Sequence, residues 1–125
     1  MKLVLLLEDD QNRIDWFEKE FKKYDYIAHI TEDVEEAKNW LRENKYELIF
    51  LDHDLGGKQM VSSDEPDTGF QVAKMIHETK NVDTRIIIHS WNPIGVSNMQ
   101  NILFENKCPN VITAMFGTFK LGPTT

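Results

Sequence analysis

Hydrophobic runs and amphipathic stretches alternate along the chain from its first residues. The run Lys2–Leu7 is continuously apolar after its first residue, which is the pattern of a strand covered on both faces of a parallel sheet. Similar runs recur downstream, and each is followed by a stretch with apolar residues at helical spacing. The predicted strands are Lys2–Leu7, Tyr26–Ile30, Glu47–Leu51, Arg85–Ile88 and Asn110–Phe116.

Capping residues mark where the predicted helices begin. Asp33 with Glu36 three residues later is the spacing of a capping box. Asp67 is a further candidate N-cap, and Asn92 followed by Pro93 combines a capping side chain with proline at the first helical position. The predicted helices are Gln11–Lys23, residues 33 to about 44, residues 67 to about 78, and residues 93 to about 105.

This alternation of strands and helices defines a fold class. It predicts an α/β protein with a doubly wound parallel sheet and helices on both of its faces. The 125 residues fit one domain, 1–125, with one core. Few residues follow the last predicted strand, so we expect a normal fifth helix to be missing or vestigial. In such sheets a ligand binds beyond the carboxyl ends of the strands.

Charged residues gather at those predicted strand ends. The first strand ends in Glu8, Asp9 and Asp10, and the third in Asp52, His53 and Asp54. If these two strands are neighbours, their carboxylates share one pocket. Hard oxygen ligands suit Mg²⁺ or Mn²⁺, which bridge to phosphate oxygens. Without a cation the carboxylates would repel one another, and some would have to hold protons.

Composition limits the partners of such a pocket. The formal net charge of −7 argues against binding of extended nucleic acid, which needs a basic surface, but leaves room for a nucleotide or a strand end. No run is long and apolar enough to span a membrane. The single cysteine, Cys108, excludes an internal disulfide, and we expect a cytoplasmic location.

Several segments resemble the receiver domain of two-component response regulators. Residues 5–10 are similar to that family's first-strand acidic pair, residues 47–52 to its phosphoacceptor strand, and residues 67–70 to the start of its third helix. The resemblance implies a five-stranded sheet of order 2-1-3-4-5. It also implies that Asp52 accepts a phosphoryl group beside a metal held by Glu8, Asp9 and the chain near Asp54. Ser90 falls where that family has a phosphate-contacting hydroxyl.

Other residues depart from the response regulators. Ala114 stands where that family has a lysine, and His53, Asp54 and His89 add chemistry that a passive phosphoacceptor does not need. Residues 51–56 and 89–93 are instead similar to a branch of stand-alone receiver-like proteins that are proposed to process cyclic phosphates. Within that resemblance, Glu8, Asp9, Asp52 and Asp54 are the candidate metal ligands.

Catalytic and phosphate-binding roles follow as hypotheses. His53 and His89, with pKa values near neutrality, can act as general base and general acid beside Asp52. Strand alternation raises an objection. If Asp52 and Ser90 both point into the pocket, then their neighbours His53 and His89 point elsewhere unless the backbone turns there. The candidate phosphate contacts are Ser90, Asn92 and Arg13, although Asn92 also suits a helix cap and Arg13 also suits an ion pair with Asp10.

The sequence leaves more than one function open. The expected activity is metal-dependent hydrolysis of a cyclic or terminal phosphate, the substrate being a small phosphorylated ligand, a nucleotide or an RNA end. The alternative is a single-domain receiver phosphorylated on Asp52 by a partner kinase. A degenerate receiver that binds a partner without chemistry is a third possibility. Residues 56–66 form a polar loop that is either a lid or an insertion.

Overall fold

The protein has alternating strands and helices over the residues that its computed structural model describes, 2–57 and 59–114. The strands are β1 (Lys2–Leu7), β2 (Tyr26–Thr31), β3 (Leu48–Leu51), β4 (Arg85–Ile88) and β5 (Val111–Thr113). The helices are α1 (Gln11–Lys23), α2 (Val34–Glu43), α3 (Gly69–Ala73) and α4 (Pro93–Glu105), with a 3-10 turn at Ile76–Glu78. No helix within these residues combines the length and apolar character that crossing a bilayer requires.

The strands form one parallel sheet in the order β2-β1-β3-β4-β5, as predicted. The central strands β1, β3 and β4 are almost wholly buried because helices cover both faces. One face packs against α2, α3 and α4, with Leu41, Val72 and Leu103 among the contacts. The opposite face packs against α1 through Phe17 and Phe21.

Register brings the strand ends together. Leu7 of β1 lies beside Leu51 of β3, and Leu51 lies beside Ile88 of β4. The next residues along these three strands are therefore neighbours at the carboxyl edge of the sheet, and they are Glu8, Asp52 and His89. This edge is where a doubly wound sheet binds its ligand.

Side-chain caps hold the starts of three helices, as predicted for Asp33 and Asn92. The Asp33 side chain accepts a hydrogen bond from the Glu36 amide at 3.0 Å, and Asn92 accepts one from the Gly95 amide at 2.9 Å. Asp10 caps α1 by accepting from the Arg13 amide at 3.0 Å. Each bond satisfies an amide that the first helical turn leaves without a partner.

The predicted third helix is wrong in its start and its length. Its N-cap is Thr68 rather than Asp67, and α3 ends at Ala73. The chain then tightens, because the Met75 amide bonds to the Val72 carbonyl in the i→i−3 pattern that ends an α-helix. Close packing fixes the start, since a Cβ on Gly69 would lie 1.9 Å from the Asp52 carbonyl oxygen.

Smaller differences concern three strands. β2 ends at Thr31, one residue after the predicted end. β3 begins at Leu48, one residue after the predicted start, and β5 covers Val111–Thr113 rather than the longer predicted run. Ala114 is outside the strand but still bonds to the Ile88 carbonyl at 2.9 Å. Asn110 is described but lies outside the strand. Residues 115 and 116 of the predicted strand, and the expected loss of the last helix, lie outside the described residues.

Candidate functional site

Three carboxylates converge at the carboxyl edge of the sheet. One oxygen from each of Glu8, Asp9 and Asp52 lies within 4.8 Å of the others. β1 supplies the first two residues and β3 the third, so strand pairing fixes their separation. Hard oxygen donors at this spacing fit a divalent cation such as Mg²⁺, which takes one or two protein carboxylates and keeps several waters.

Glu8 is buried and held on both carboxylate oxygens. Its Oε2 accepts hydrogen bonds from the amides of Asp9 and Asp10, and its Oε1 lies 3.0 Å from His89 Nε2. Arg13 Nη1 approaches the same Oε1 at 3.5 Å. Burial alone would raise the pKa of Glu8, but His89, the Asp10 amide and Arg13 outweigh it and hold that pKa at about 2. Glu8 is therefore a fixed negative charge.

Asp52 has the opposite character. It is 3% exposed, and Arg13 Nη1 is 3.9 Å from its Oδ2. Burial and then the negative charge of Glu8 raise the pKa of Asp52 to about 8, and Arg13 offsets only part of this. A buried carboxylate that cannot easily ionise beside a fixed one is a place where a bound cation has much to stabilise.

Asp9 lies at the solvent side of the cluster. Its Oδ2 accepts a hydrogen bond from the Gly57 amide at 2.6 Å, which ties the loop after β3 to the carboxylates. Burial raises the pKa of Asp9, and the charge of Glu8 adds to that effect. The donor set therefore fits a metal chemically, because it joins hard oxygens with unrelieved repulsion.

His89 lies on the same face of the sheet as Asp52. Its ring packs beside the mutually contacting rings of Phe17 and Phe50, with centroids 5.3 Å and 6.4 Å away, and it is fully buried. Nε2 contacts Glu8, whereas Nδ1 has no hydrogen-bond partner among the described residues. The contact through Nε2 fixes the position of the Glu8 carboxylate relative to β4.

His53 lies on the other face, as alternation along β3 requires. Its Nδ1 is 2.8 Å from Asp54 Oδ1, and its Nε2 is 2.8 Å from Ser63 Oγ. Gly95 of α4 packs against the ring so closely that a Cβ there would lie 2.4 Å from it. His53 thus connects the end of β3, the following loop and α4. Its predicted proton-transfer role stays a prediction, as does that of His89.

Asp9 and Asp52 border an open cavity of about 600 Å³, whereas Glu8 lies buried behind them. Its acidic lining consists of Asp9, Asp10, Asp52 and Asp54, and the remaining lining residues are Arg13, Gly57, Gln59, Met60 and Trp91. Arg13 also lines the cavity, and its Nη1 is buried beside Glu8 and Asp52 without a hydrogen-bond partner among the described residues. A guanidinium beside a carboxylate cluster that fits a cation is well placed for a phosphate oxygen.

The other two predicted phosphate contacts lie differently. Ser90 borders a neighbouring cavity with Ile88 and Thr113, and its Oγ accepts from the Asn92 amide at 3.1 Å. Asn92 is 4% exposed and caps α4, while its Nδ2 donates to Asp54 Oδ1 at 3.2 Å. The acidic cavity therefore contains Arg13 but not the Ser90 hydroxyl, and the phosphate-binding role of all three residues stays a prediction.

Sequence reasoning missed the residues that hold the loop. Ser63, Gly57 and Met60 carry no motif, and each bonds to a residue at the end of β1 or β3. Gly95 had a weak signal, since a glycine within the first turn of a helix is costly unless something packs close to it. Ser63 had no signal in the sequence, because its partner His53 is close to it only in the folded structure.

Metal binding should release a proton. At pH 7 the raised pKa of Asp52 keeps that carboxyl protonated, and Mg²⁺ must displace the proton. We expect the apparent Mg²⁺ affinity to rise up to about tenfold per pH unit below pH 8 and to level off above it. Titration calorimetry in two buffers with different ionisation enthalpies measures the protons released. Binding heats that do not depend on the buffer would contradict this assignment.

Comparison with solved structures defines the fold. The chain is similar to the receiver domain of sensor histidine kinase PA1611 from Pseudomonas aeruginosa, which has a magnesium ion in its active-site cleft (17% identity, 95% of this chain and 87% of that chain, TM-score 0.64). It is also similar to the response regulator TrrA from Thermotoga maritima in complex with Mg²⁺-BeF (22%, 94% and 90%, 0.64). The receiver domain of HemR from Leptospira biflexa matches likewise (21%, 95% and 84%, 0.66).

These likenesses establish a receiver fold. Within that class, residues 3–105 match the model of the cyclic-phosphate processing receiver domain. The chain belongs to this family. No curated protein sequence matches it significantly.

Proposed function

We propose that this protein is a divalent-metal-dependent hydrolase of a cyclic or terminal phosphate on a nucleotide or an RNA end. The observation that carries the proposal is the convergence of Glu8, Asp9 and Asp52 within 4.8 Å at an open cavity that Arg13 also lines. The cyclic-phosphate description of the family supports the same reaction class.

The residues have separate tasks in this proposal. Glu8, Asp9 and Asp52 hold the cation, and Arg13 contacts a non-bridging phosphate oxygen. When bound, the cation neutralises phosphate charge and makes a nearby water more acidic. Water adds across one P–O ester bond: its oxygen joins phosphorus, and a proton passes to the departing ester oxygen. A cyclic phosphate thereby becomes a phosphomonoester.

The histidines contribute through position. His89 holds Glu8 in the orientation that the cation needs, and His53 holds Asp54 beside the cavity. Substitution of residues that contact a metal ligand, and not the metal itself, typically lowers metal affinity or activity by about 10–100-fold. A direct proton-transfer role for either histidine needs a path to the cavity, and neither ring lines it.

Signalling through a phosphorylated Asp52 is the second candidate. In its favour, Asp52 lines an open cavity, and solved receivers with the same fold include a response regulator with a phosphorylated aspartic acid. Two features disfavour it. Ala114 replaces the lysine of that family, and the Ser90 hydroxyl borders a different cavity. Intact mass after incubation with a small phosphodonor and Mg²⁺ detects any phosphoryl group, and Asp52→Ala removes its acceptor.

Hydrolysis is tested with 2′,3′-cyclic nucleotides and with RNA carrying a 2′,3′-cyclic end. With Mg²⁺ or Mn²⁺ we expect a new phosphomonoester in the phosphorus NMR spectrum, and none after chelation. Asp9→Asn removes a proposed metal ligand and should lower turnover by at least about a hundredfold. This exceeds the usual effect of substituting a residue that only contacts a metal ligand. Asp15→Asn makes the same charge change on the exposed side of α1 and should have no effect. Turnover that survives chelation, or none with any substrate, rejects the proposal.

A further inference from the structure

The acidic cavity has a second wall of different chemistry. Met60 and Trp91 line the same cavity as the carboxylates, but their side chains are apolar and uncharged. Trp91 is 58% exposed and Met60 is 65% exposed, a large apolar area for side chains beside so many charges. A phosphate bound to the carboxylate cluster through a cation leaves this wall uncovered.

The backbone at Met60 is held in an uncommon conformation. Its φ of 52° lies in the left-handed region, which residues with a side chain rarely adopt. The Met60 amide donates to Asp54 Oδ2 at 2.7 Å, and Asp54 is itself held by His53 and Asn92. A strained residue fixed by buried partners is a feature of ligand-contacting loops. The bond to Asp54 therefore presents the thioether at the cavity.

Trp91 is also held by its neighbours. The Asn92 amide bonds to Ser90 Oγ across it, and Asn92 caps α4, so the backbone on both sides of Trp91 is fixed. The indole is left exposed at the cavity wall. An indole on a fixed backbone has only two side-chain torsions to restrict, so it offers a flat stacking surface that loses little conformational entropy on binding.

The two walls fit one ligand. A volume of about 600 Å³ is within the range of small-molecule sites. The carboxylates suit a metal-bound phosphate, and the indole and thioether suit a planar heteroaromatic ring. Gln59, also on the wall, has an amide that can donate and accept at a base edge. A nucleoside phosphate carries both groups.

We propose that Trp91 and Met60 form a stacking site for the nucleobase attached to the reacting phosphate. The substrate is then a nucleotide or the terminal nucleotide of a strand, not a base-free phosphate ester. The net charge of −7 disfavours contacts with further phosphates along a strand, so recognition is confined to one nucleotide. This inference rests on the proposed function for the position of the phosphate.

The test compares two substrates that share a five-membered cyclic phosphate. Adenosine 2′,3′-cyclic phosphate carries a base, and glycerol 1,2-cyclic phosphate does not. We expect kcat/KM to favour the adenosine compound by about tenfold to a hundredfold, the usual effect of one base–aromatic stack. Trp91→Ala should bring the ratio close to one, mainly through KM, and Trp91→Phe should retain most of it. Phe104→Ala, an exposed aromatic of α4 outside this cavity, should leave the ratio unchanged.

A binding measurement separates this inference from the proposed hydrolysis. Adenosine monophosphate with Mg²⁺ should quench tryptophan fluorescence in the wild type, and Trp91→Ala should weaken its binding about tenfold or more while ribose 5-phosphate binds poorly to both. If neither cyclic phosphate is hydrolysed, these affinities still decide the stacking site. If both are hydrolysed at equal kcat/KM, and Trp91→Ala changes neither their ratio nor the affinity for adenosine monophosphate, the stacking site is rejected while the hydrolase stands.

Discussion

Asp52→Asn should stabilise the metal-free protein and abolish its response to Mg²⁺. In the wild type the Asp52 carboxyl lowers the free energy of unfolding, because it is buried beside Glu8 and its pKa is raised to about 8. An amide carries no charge to desolvate or repel. Each unit of pKa shift corresponds to about 1.4 kcal/mol, so we expect a gain on the order of 2 kcal/mol at pH 8 once the unmet hydrogen bonds of the amide are considered.

The dependence on pH identifies the cause. Between about pH 4 and pH 8 the folded protein holds a proton on Asp52 that the unfolded chain releases, because the pKa is raised from 3.8. Metal-free wild-type stability therefore falls as pH rises across this window. In Asp52→Asn the fall should be much smaller, because only the raised pKa of Asp9 still contributes to it. Glu8, with a pKa of about 2, adds its own loss only below about pH 4.5. Urea unfolding in the presence of a chelator, repeated across this pH range, measures how stability depends on pH in the wild type and in Asp52→Asn.

Asp54→Asn is the matched control two residues along the chain. Burial opposes ionisation of Asp54, but hydrogen bonds from His53, Asn92 and the Met60 amide prevail and lower its pKa. Its removal should destabilise the protein at pH 8, the opposite sign to Asp52→Asn. If both variants lose stability, or if Asp52→Asn still melts higher with Mg²⁺, then Asp52 is not the unrelieved carboxylate and metal ligand assigned here.

His89→Leu should destabilise the metal-free protein by about 3–5 kcal/mol. This is the range observed when one partner of a buried pair is removed and the other is left behind. Glu8 would keep Arg13 at 3.5 Å but lose the imidazole at 3.0 Å, in a site that is 1% exposed. The substitution preserves the apolar contacts to Phe17 and Phe50, so the loss reports mainly on the carboxylate. Chemical unfolding with a chelator measures it.

A double-mutant cycle isolates that interaction. With Glu8→Gln in place, His89→Leu should cost less, because no charge is left uncompensated. His77→Leu, a partly exposed histidine 3.8 Å from Glu78, should change stability by less than about 0.5 kcal/mol. An equal loss for His89→Leu in both Glu8 backgrounds would mean that His89 acts through packing alone.

Local pattern was sufficient for most of the fold. β4 and α4 have the predicted bounds, because a buried apolar run and an Asn-Pro helix start are decided by residues next to each other in sequence. α3 was not predictable in this way. Its start depends on Gly69 packing against the carbonyl of Asp52, and a contact between distant segments leaves no periodic signal.

In the candidate site, too, some features followed from local sequence and others depended on contacts between distant segments. Strand ends were sufficient to bring Glu8, Asp9 and Asp52 together, since parallel strands align their carboxyl ends. Which of His89 and Ser90 would face Asp52 depended on the register between β3 and β4, and a shift of one residue exchanges the faces. The partner of His53 could not be inferred at all, because Ser63 lies in a loop without a pattern.

Adjacent residues at the end of β3 serve opposite sides of the sheet. Asp52 belongs to the carboxylate cluster, whereas His53 turns away and holds the following loop through Ser63 and α4 through Gly95. The carboxylate cluster therefore lies on one face of the sheet, and the contacts that hold the loop lie on the other. Variants with altered residues at 59–62 can be selected for new ligands while the three clustered carboxylates stay in register, which makes this loop the natural place to redesign specificity.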